Sequence, residues 1–375
     1  MPDWDGLSAA LAEQARHARD RGGICDSILD AVGWTPVIRL ARLTRDIDTQ
    51  LVAKLETANP GGSIKDRVGL AMVEAAERDG LLRPGGTVVE ASSGNTGIGI
   101  AMAARVKGYR VVVVTKEKTS KEKVSLLQAY GVEVVITPSD ATIDSPDCYY
   151  NVAKRLAGEI PGAFQPDQYA NPANPDVHYR TTGPELWGQT AGQVTHLVAG
   201  VGTGGTISGI GRYLKEQNSD IEVIGVDPFG SIYTRDEVQP WLVEGIGQDV
   251  RPETYDPTVV DRLVNVLDVD AVAMTRTLAE TEGVLVGGSS GMAAFAALAL
   301  ARELDDPTAL VGVILPDGGR SYMSTVFNPK WREKHDVGRT LRRFSRFGRR
   351  ARARDLAISE SRPADETRTT VSLEG

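Results

Sequence analysis

The chain has 375 residues, 41% of them apolar and 25% charged, the balance of a globular protein long enough for two domains around sizeable cores. Its net charge of −8 argues against a nucleic-acid binder, and Met1 to Gly23 has no apolar stretch that would make a secretory signal or a membrane span. Two cysteines, Cys25 and Cys148, without C-x-x-C spacing, and four scattered histidines (His17, His178, His196, His335) argue against a disulfide framework and a zinc site, and fit a reduced cytoplasmic setting.

In chain order, Leu51 to Leu55 reads as an apolar strand that ends at the turn residues Pro60, Gly61 and Gly62. Ser63 follows as an expected helix N-cap, with Asp66 three residues on as its capping-box acid, and apolar residues at helical spacing from Val68 to Ala76. Lys65 therefore falls in the first turn. The positive end of the helix dipole disfavours an ammonium there, so the lysine should lose its proton easily and serve Schiff-base chemistry. A surface lysine is the plainer alternative for this segment taken alone.

Further runs rich in Val and Ile follow: Val88 to Glu90, Val111 to Val114, Val134 to Ile136, Leu197 to Ala199, Val223 to Val226 and Val311 to Leu315. They fit strands buried on both faces of a parallel sheet. Amphipathic stretches alternate with them: Ile98 to Val106, Lys121 to Tyr130, Asn151 to Leu156 and Ile207 to Gln217. The alternation predicts an α/β protein of βα units. Residues 84–175 are expected as a small mobile subdomain inserted in a larger domain made of 1–83 and 176–330. From 331 to 375 an arginine-rich, then polar tail is expected to be disordered, with an acidic partner as the sharper alternative.

Three polar loops carry candidate chemistry. Ser92-Ser-Gly-Asn-Thr-Gly97 joins a strand to a helix and suits a carboxylate. Gly200-Val-Gly-Thr-Gly-Gly-Thr206 also opens a helix after a strand, a ready anion site. This run matches G-x-G-x-x-G at Gly200, Gly202 and Gly205, and Asp227 ends the next strand, so an NAD-dependent oxidoreductase is a rival reading. Against it, the fingerprint is mid-chain, Lys65 is left idle, and so dense a glycine–threonine run suits a single phosphate monoester better. In Gly287-Gly-Ser-Ser-Gly291, Ser289 or Ser290 is either a helix cap or a hydroxyl facing an aromatic nitrogen. Asp317 ends an apolar strand at the sheet edge where such folds place ligands.

Taken together, these motifs resemble pyridoxal-phosphate enzymes of the tryptophan-synthase-β fold type (fold type II), most of all the branch holding cysteine synthase and cystathionine β-synthase. The resemblance covers about Ile28 to Phe327. It implies two open twisted parallel-sheet domains, the smaller inserted in the larger, and a homodimer without nucleic-acid or membrane partners. By it, Lys65 carries pyridoxal 5'-phosphate and acts as the catalytic base. Asn95 bonds the ring hydroxyl, Gly202, Thr203, Gly204, Gly205 and Thr206 hold the phosphate, and Ser289 faces the ring nitrogen. Ser92, Ser93, Asn95, Thr96 and Gln168 grip the substrate carboxylate, and Tyr169, Gly245 and Gln248 border the substrate pocket. The implied reaction is β-replacement on L-serine or an activated serine by a thiol. Cystathionine β-synthase is the leading reading, with cysteine synthase, or a relative using another nucleophile, as the alternative. The segments Glu117 to Lys123, Asp167 to Asn171, Thr182 to Glu185 and Val243 to Gly247 lean towards cystathionine synthases. Trp34 and Gln248 depart from the family, which usually has Asn and Tyr there.

Overall fold

A computed structural model of the chain describes residues 24–338, apart from 93, 143 and 236, together with Glu360–Ser361. Two sheets organise it. The larger has β1 (Val37–Arg39), β2 (Gln50–Leu55), β7 (His196–Gly200), β8 (Glu222–Pro228), β9 (Arg262–Val266) and β10 (Leu310–Leu315). They lie in the order β1-β2-β10-β7-β8-β9, with the two-residue strand Glu360–Ser361 on the outer edge. From β2 to β9 the pairings are parallel; β1, which the sequence pattern did not announce, runs antiparallel to β2. The smaller sheet is wholly parallel, in the order β5-β4-β3-β6. Its strands are β3 (Thr87–Ala91), β4 (Arg110–Lys116), β5 (Glu133–Thr137) and β6 (Ala163–Phe164).

The helices used below are α1 (Lys65–Arg78), α2 (Asn95–Val106), α3 (Lys121–Ala129), α4 (Tyr149–Glu159), α5 (Ala173–Val177), α6 (Gly183–Gln189), α7 (Gly205–Gln217), α8 (Asp268–Thr277), α9 (Gly288–Leu304) and α10 (Pro329–Lys334). The apolar runs of the central strands are buried on both faces, as expected of parallel sheets between helices, but the edge strand β5 departs from this, with Val134 and Val135 half-buried and Ile136 exposed. Leu51, Ala53, Val198 and Val313 of the large sheet pack with Met292, Ala296 and Leu300 of α9. Helix α1 follows a large-sheet strand in the chain, yet Val68, Met72 and Val73 pack with Val88, Val111 and Val113 of the small sheet and with Ile98 and Ile100 of α2.

Three local expectations are corrected. Ile64, not Ser63, precedes the helix, and Asp66 accepts from Gly61 N at 2.6 Å instead of closing a capping box. Helix α9 begins at Gly288, so Ser289 and Ser290 lie inside its first turn and neither caps it. The segment from 331 starts within α10, and Val337 is buried beside Val272, Tyr322 and Val326, so packed structure continues past the expected start of the tail. The arginine run from Arg342 onward lies outside the described residues, as does Ser93.

The position of β10 between β2 and β7 assembles the site. The carboxyl ends of these three neighbours lead to Lys65, to Asp317 and to the glycine loop respectively, which is where open α/β sheets bind ligands. The β2 and β10 exits are tied by Ile64 N donating to Pro316 O at 2.8 Å and Gly318 N to Gly62 O at 3.1 Å.

Candidate active site

A cleft of about 470 Å3 is lined by residues from both sheets and their loops, a size typical of small-molecule sites. Among its lining residues are Lys65, Ser92, Asn95, Thr96, Gln168, Tyr169, Gly202, Thr203, Gly245, Gln248 and Ser289. A recess of about 40 Å3 shares Lys65, Gly202, Thr203 and Ser289 with the cleft and reaches Gly204 and Thr206. Gly205 lies between them at the start of α7. Every described candidate residue is thus gathered at one place.

The Lys65 side chain is half-buried, and among the described residues no hydrogen bond or ion pair engages its amine. Desolvation lowers its pKa to about 8. Its place on the first turn of α1 is fixed from two sides. Helix α2 crosses at backbone contact: a Cβ on Gly99 would stand 2.3 Å from Lys65 O. Two residues further along α1, the Arg67 guanidinium is buried between two carboxylates, with Nε to Glu56 Oε2 at 2.8 Å and Nη1 to Glu185 Oε1 at 2.6 Å. Lys54 completes the group with Glu185 at 2.8 Å, giving two buried cations and two buried anions. Burial opposes ionisation, yet the charge of Arg67 holds Glu56 down to about 2. No spacing rule in the sequence announces this quartet, because its members are joined only through the fold.

The glycine loop is an anion cradle at the N-terminus of α7. Among the described residues, no backbone hydrogen bond engages the N–H groups of Gly202, Thr203, Gly204, Gly205 or Thr206. Gly204 has φ +87, and a Cβ there would meet Tyr255 Cβ at 2.5 Å, so glycine is required. The loop's carbonyls are held from behind: Tyr233 Oη donates to Gly202 O at 2.7 Å and Thr254 Oγ1 to Thr203 O at 2.6 Å. Asn174 Nδ2 donates to Thr203 Oγ1 at 3.0 Å, while Thr206 Oγ1 lies 3.3 Å from His178 Nε2. Burial, with the charges of Lys65 and Arg67, keeps His178 far below the usual histidine pKa and therefore neutral.

On the small-sheet side, α2 starts at Asn95, three residues earlier than the apolar pattern indicates. Ser92 Oγ accepts from Gly94 N at 3.2 Å and Gly97 N at 3.0 Å, so it shapes its own loop and keeps one hydrogen to donate. Thr96 Oγ1 donates to Gln168 Oε1 at 2.6 Å. Behind them Glu90, fully buried, accepts from the N–H groups of Asp167 and Gln168, and desolvation raises its pKa to about 8. Tyr169 Oη shares a 2.8 Å hydrogen bond with Tyr149 Oη. Asn95 Nδ2 donates to Asp317 Oδ2 at 2.7 Å. Asp227, the rival ribose-binding acid, is buried and accepts from Thr234 Oγ1 at 2.8 Å.

Sequence reasoning missed several lining residues: Lys116, Lys118, Lys123, Tyr149, Trp241, Glu244, Asp249, Trp331 and His335. Glu244 stands beside Gly245 in a segment already singled out. Trp331 and His335, whose rings lie 4.6 Å apart, come from the stretch expected to be tail.

Comparison with known proteins follows the same outline. The family model described as "Pyridoxal-phosphate dependent enzyme" matches residues 28–317. Cystathionine β-synthase of Apis mellifera is 45% identical over 317 residues, covering 83% of this chain and 63% of that protein. The cystathionine β-synthase of Rattus norvegicus is 48% identical over 316 residues, 82% of this chain and 56% of that protein. The chain thus spans about three fifths of the length of these curated relatives. A cysteine synthase of Staphylococcus aureus (strain N315) is 42% identical over 302 residues, covering 80% of this chain and 96% of that protein. Among solved structures, an O-ureido-L-serine synthase matches with TM-score 0.77 and 37% identity over 82% of this chain and 96% of its own. An O-acetylserine dependent cystathionine β-synthase from Helicobacter pylori matches with TM-score 0.76 and 37% identity over 81% and 98%.

Proposed function

We propose that this chain, which belongs to the pyridoxal-phosphate dependent enzyme family, catalyses β-replacement on L-serine or an activated serine, with homocysteine as the thiol and cystathionine as the product. The observation that carries the reading is the half-buried Lys65 amine, without a partner among the described residues, lining one recess with an anion cradle.

The residues fit the cofactor. An aldehyde needs a neutral amine, a phosphate monoester needs converging donors, and a pyridine nitrogen needs a partner; Lys65, the N–H groups at Gly202 to Thr206 that are free among the described residues, and the Ser289 hydroxyl meet these needs in turn. Bound there, pyridoxal phosphate supplies an electron sink for the pair left when the substrate Cα–H bond breaks. Lys65 removes that proton as general base. Ser289 offers the ring nitrogen a neutral hydroxyl, which does not hold a proton there as a carboxylate would, and this favours loss of the β-substituent over transamination. Ser92, Asn95, Thr96 and Gln168 orient the substrate carboxylate, with Ser93 assigned to the same loop from sequence. Tyr169, Gly245 and Gln248 border the space for the incoming thiol. Closure of the 84–175 subdomain over this space would exclude water.

The 45% and 48% identity to cystathionine β-synthases supports homocysteine as the thiol. Cysteine synthesis is the second reading, supported by the match to nearly the full length of the S. aureus cysteine synthase. A homodimer in the cytoplasm belongs to the same proposal; both cysteines are free, and among the described residues no helix is long and apolar enough to cross a membrane. The test crosses L-serine, O-acetylserine and O-phosphoserine with homocysteine, sulfide and cyanide and identifies the products. Cystathionine from serine or an ester of it supports the first reading, and cysteine made only from an ester and sulfide supports the second. Lys65→Ala should abolish turnover in every combination, and turnover at the parent rate would overturn both.

A further inference from the structure

Asp317 was marked by its position at the end of β10, yet the reaction gives it no task. Its side chain is buried, and one oxygen, Oδ2, accepts from Asn95 Nδ2 at 2.7 Å and also from the Tyr322 hydroxyl. Tyr322 in turn accepts from Lys123 Nζ at 3.0 Å, and the same ammonium meets Glu244 Oε2 at 2.9 Å. Lys123 and Tyr322 are as buried as Asp317, with 1% and 2% of their surface exposed. The chain crosses the cleft. Asn95 and Lys123 stand on α2 and α3 beside the small sheet, whereas Asp317, Tyr322 and Glu244 stand on large-sheet loops. Next to Lys123, Glu122 accepts from Ser324 N at 2.9 Å and Ser324 Oγ at 2.7 Å, so α3 is fastened to the Tyr322 turn at a second point.

We propose that Asp317, held by Tyr322 and Lys123, is a positioning residue that sets the orientation of the Asn95 amide towards the cofactor ring. The inference rests on the cofactor reading given above and adds residues to it. The Tyr322 hydroxyl accepts from Lys123 and so gives its own hydrogen to Asp317 Oδ2, which makes that oxygen an acceptor, and the end of the amide facing it must be Nδ2. One N–H is then spent on Asp317 and the other is left for the ring hydroxyl oxygen, an acceptor. An amide turned end for end would present its carbonyl oxygen and offer nothing to that acceptor. Lys123 steadies the arrangement in two ways. It fixes the Tyr322 hydroxyl by charge, and its stem lies over the backbone just before Asn95, where a Cβ on Gly94 would stand 2.4 Å from Lys123 Cδ.

The test is a double-mutant cycle on cofactor binding. Cofactor-free parent, Asp317→Asn, Asn95→Ala and the double variant are titrated with pyridoxal phosphate, reading the dissociation constant and the visible band. Asp317→Asn should weaken binding roughly tenfold and shift the band, because a charge-assisted bond that holds the amide is lost. In the Asn95→Ala background the same change should add less than about twofold, the signature of action through Asn95. The cofactor analogue lacking the ring hydroxyl should bind parent and Asp317→Asn alike. Tyr322→Phe and Lys123→Met should shift the band the same way by less, and Tyr322→Phe replaces Asp317→Asn in the cycle if that variant does not fold. An equal loss in both backgrounds would overturn the proposal and leave the cofactor assignment standing. A parent that takes up no pyridoxal phosphate would overturn both.

Discussion

Lys65 stands at the positive end of a helix, faces the cleft and lacks a counter-ion among the described residues, so its neutral form is favoured. Desolvation is the cause of its fall to about 8. The rate of pyridoxal phosphate capture by cofactor-free protein should therefore climb about tenfold per pH unit below that value and level off above it. Growth of the visible band between pH 6.5 and 9.5 measures it, and a rate still climbing at the top of that range would mean an ordinary lysine. This residue was legible in the sequence because a glycine turn, a helix start and a lysine fall together within a few positions. Asp66 was misread. An acid three residues after a serine looks like a capping box, but here it turns back to Gly61 N, and nothing local distinguishes the two partners. Glu90 and Lys123 were not read as site residues at all, since their partners Gln168 and Tyr322 lie far along the chain.

Helices α1 and α2 meet where Gly69 faces Gly99, and the absence of side chains there lets the α2 backbone rest against the Lys65 carbonyl. This contact sets the spacing between the amine and the Ser92 to Gly97 loop. Gly99→Ala should force the helices apart and destabilise the protein by about 1–3 kcal/mol, with weaker substrate binding, because an overpacked core moves backbone. Thermal unfolding and KM report the two effects, and an unchanged pair of values would show that the spacing is not set here. Arg67→Met should be harsher, about 3–5 kcal/mol, because it strands Glu56 and Glu185 in a dry interior beside a single cation, Lys54. The strands with continuous Val and Ile runs were plain in the sequence. Strand β9 was overlooked because Arg262 and Asn265 interrupt its run, and β1 because three residues show no period.

For the molecule as a whole, three buried acids set a pH dependence. Desolvation raises Glu90 to about 8 and Asp66 and Asp227 to about 7. Each holds its proton in the fold across a range where the unfolded chain has lost it, so the native state binds more protons and is favoured at low pH. Their contribution is fully present near pH 4 and is lost as pH rises through 7 and 8. Glu56 works the other way: its folded pKa of about 2 stabilises the fold above its ordinary 4.5 and ceases to do so as pH falls towards 2. Unfolding midpoints recorded from pH 5 to 9 should therefore fall less steeply for Glu90→Gln than for the parent, and parallel curves would assign Glu90 no such role. At this scale the two-sheet α/β design was readable from alternating runs, and the comparisons agree on it. The lobe-crossing contacts of α1 were not, because a helix's sequence shows which face is apolar and not which sheet will cover it.

The placement of β10 also orders events on the ribosome. The four strands of the small sheet leave the exit tunnel together, within residues 87–164, and can pair while translation continues. Strand β2 has no such option on its parallel edge: that partner is made only at residues 310–315. A nascent chain arrested before that point would have a paired small sheet but no chemistry, and would acquire affinity for pyridoxal phosphate only once β10 slides into the middle of the large sheet.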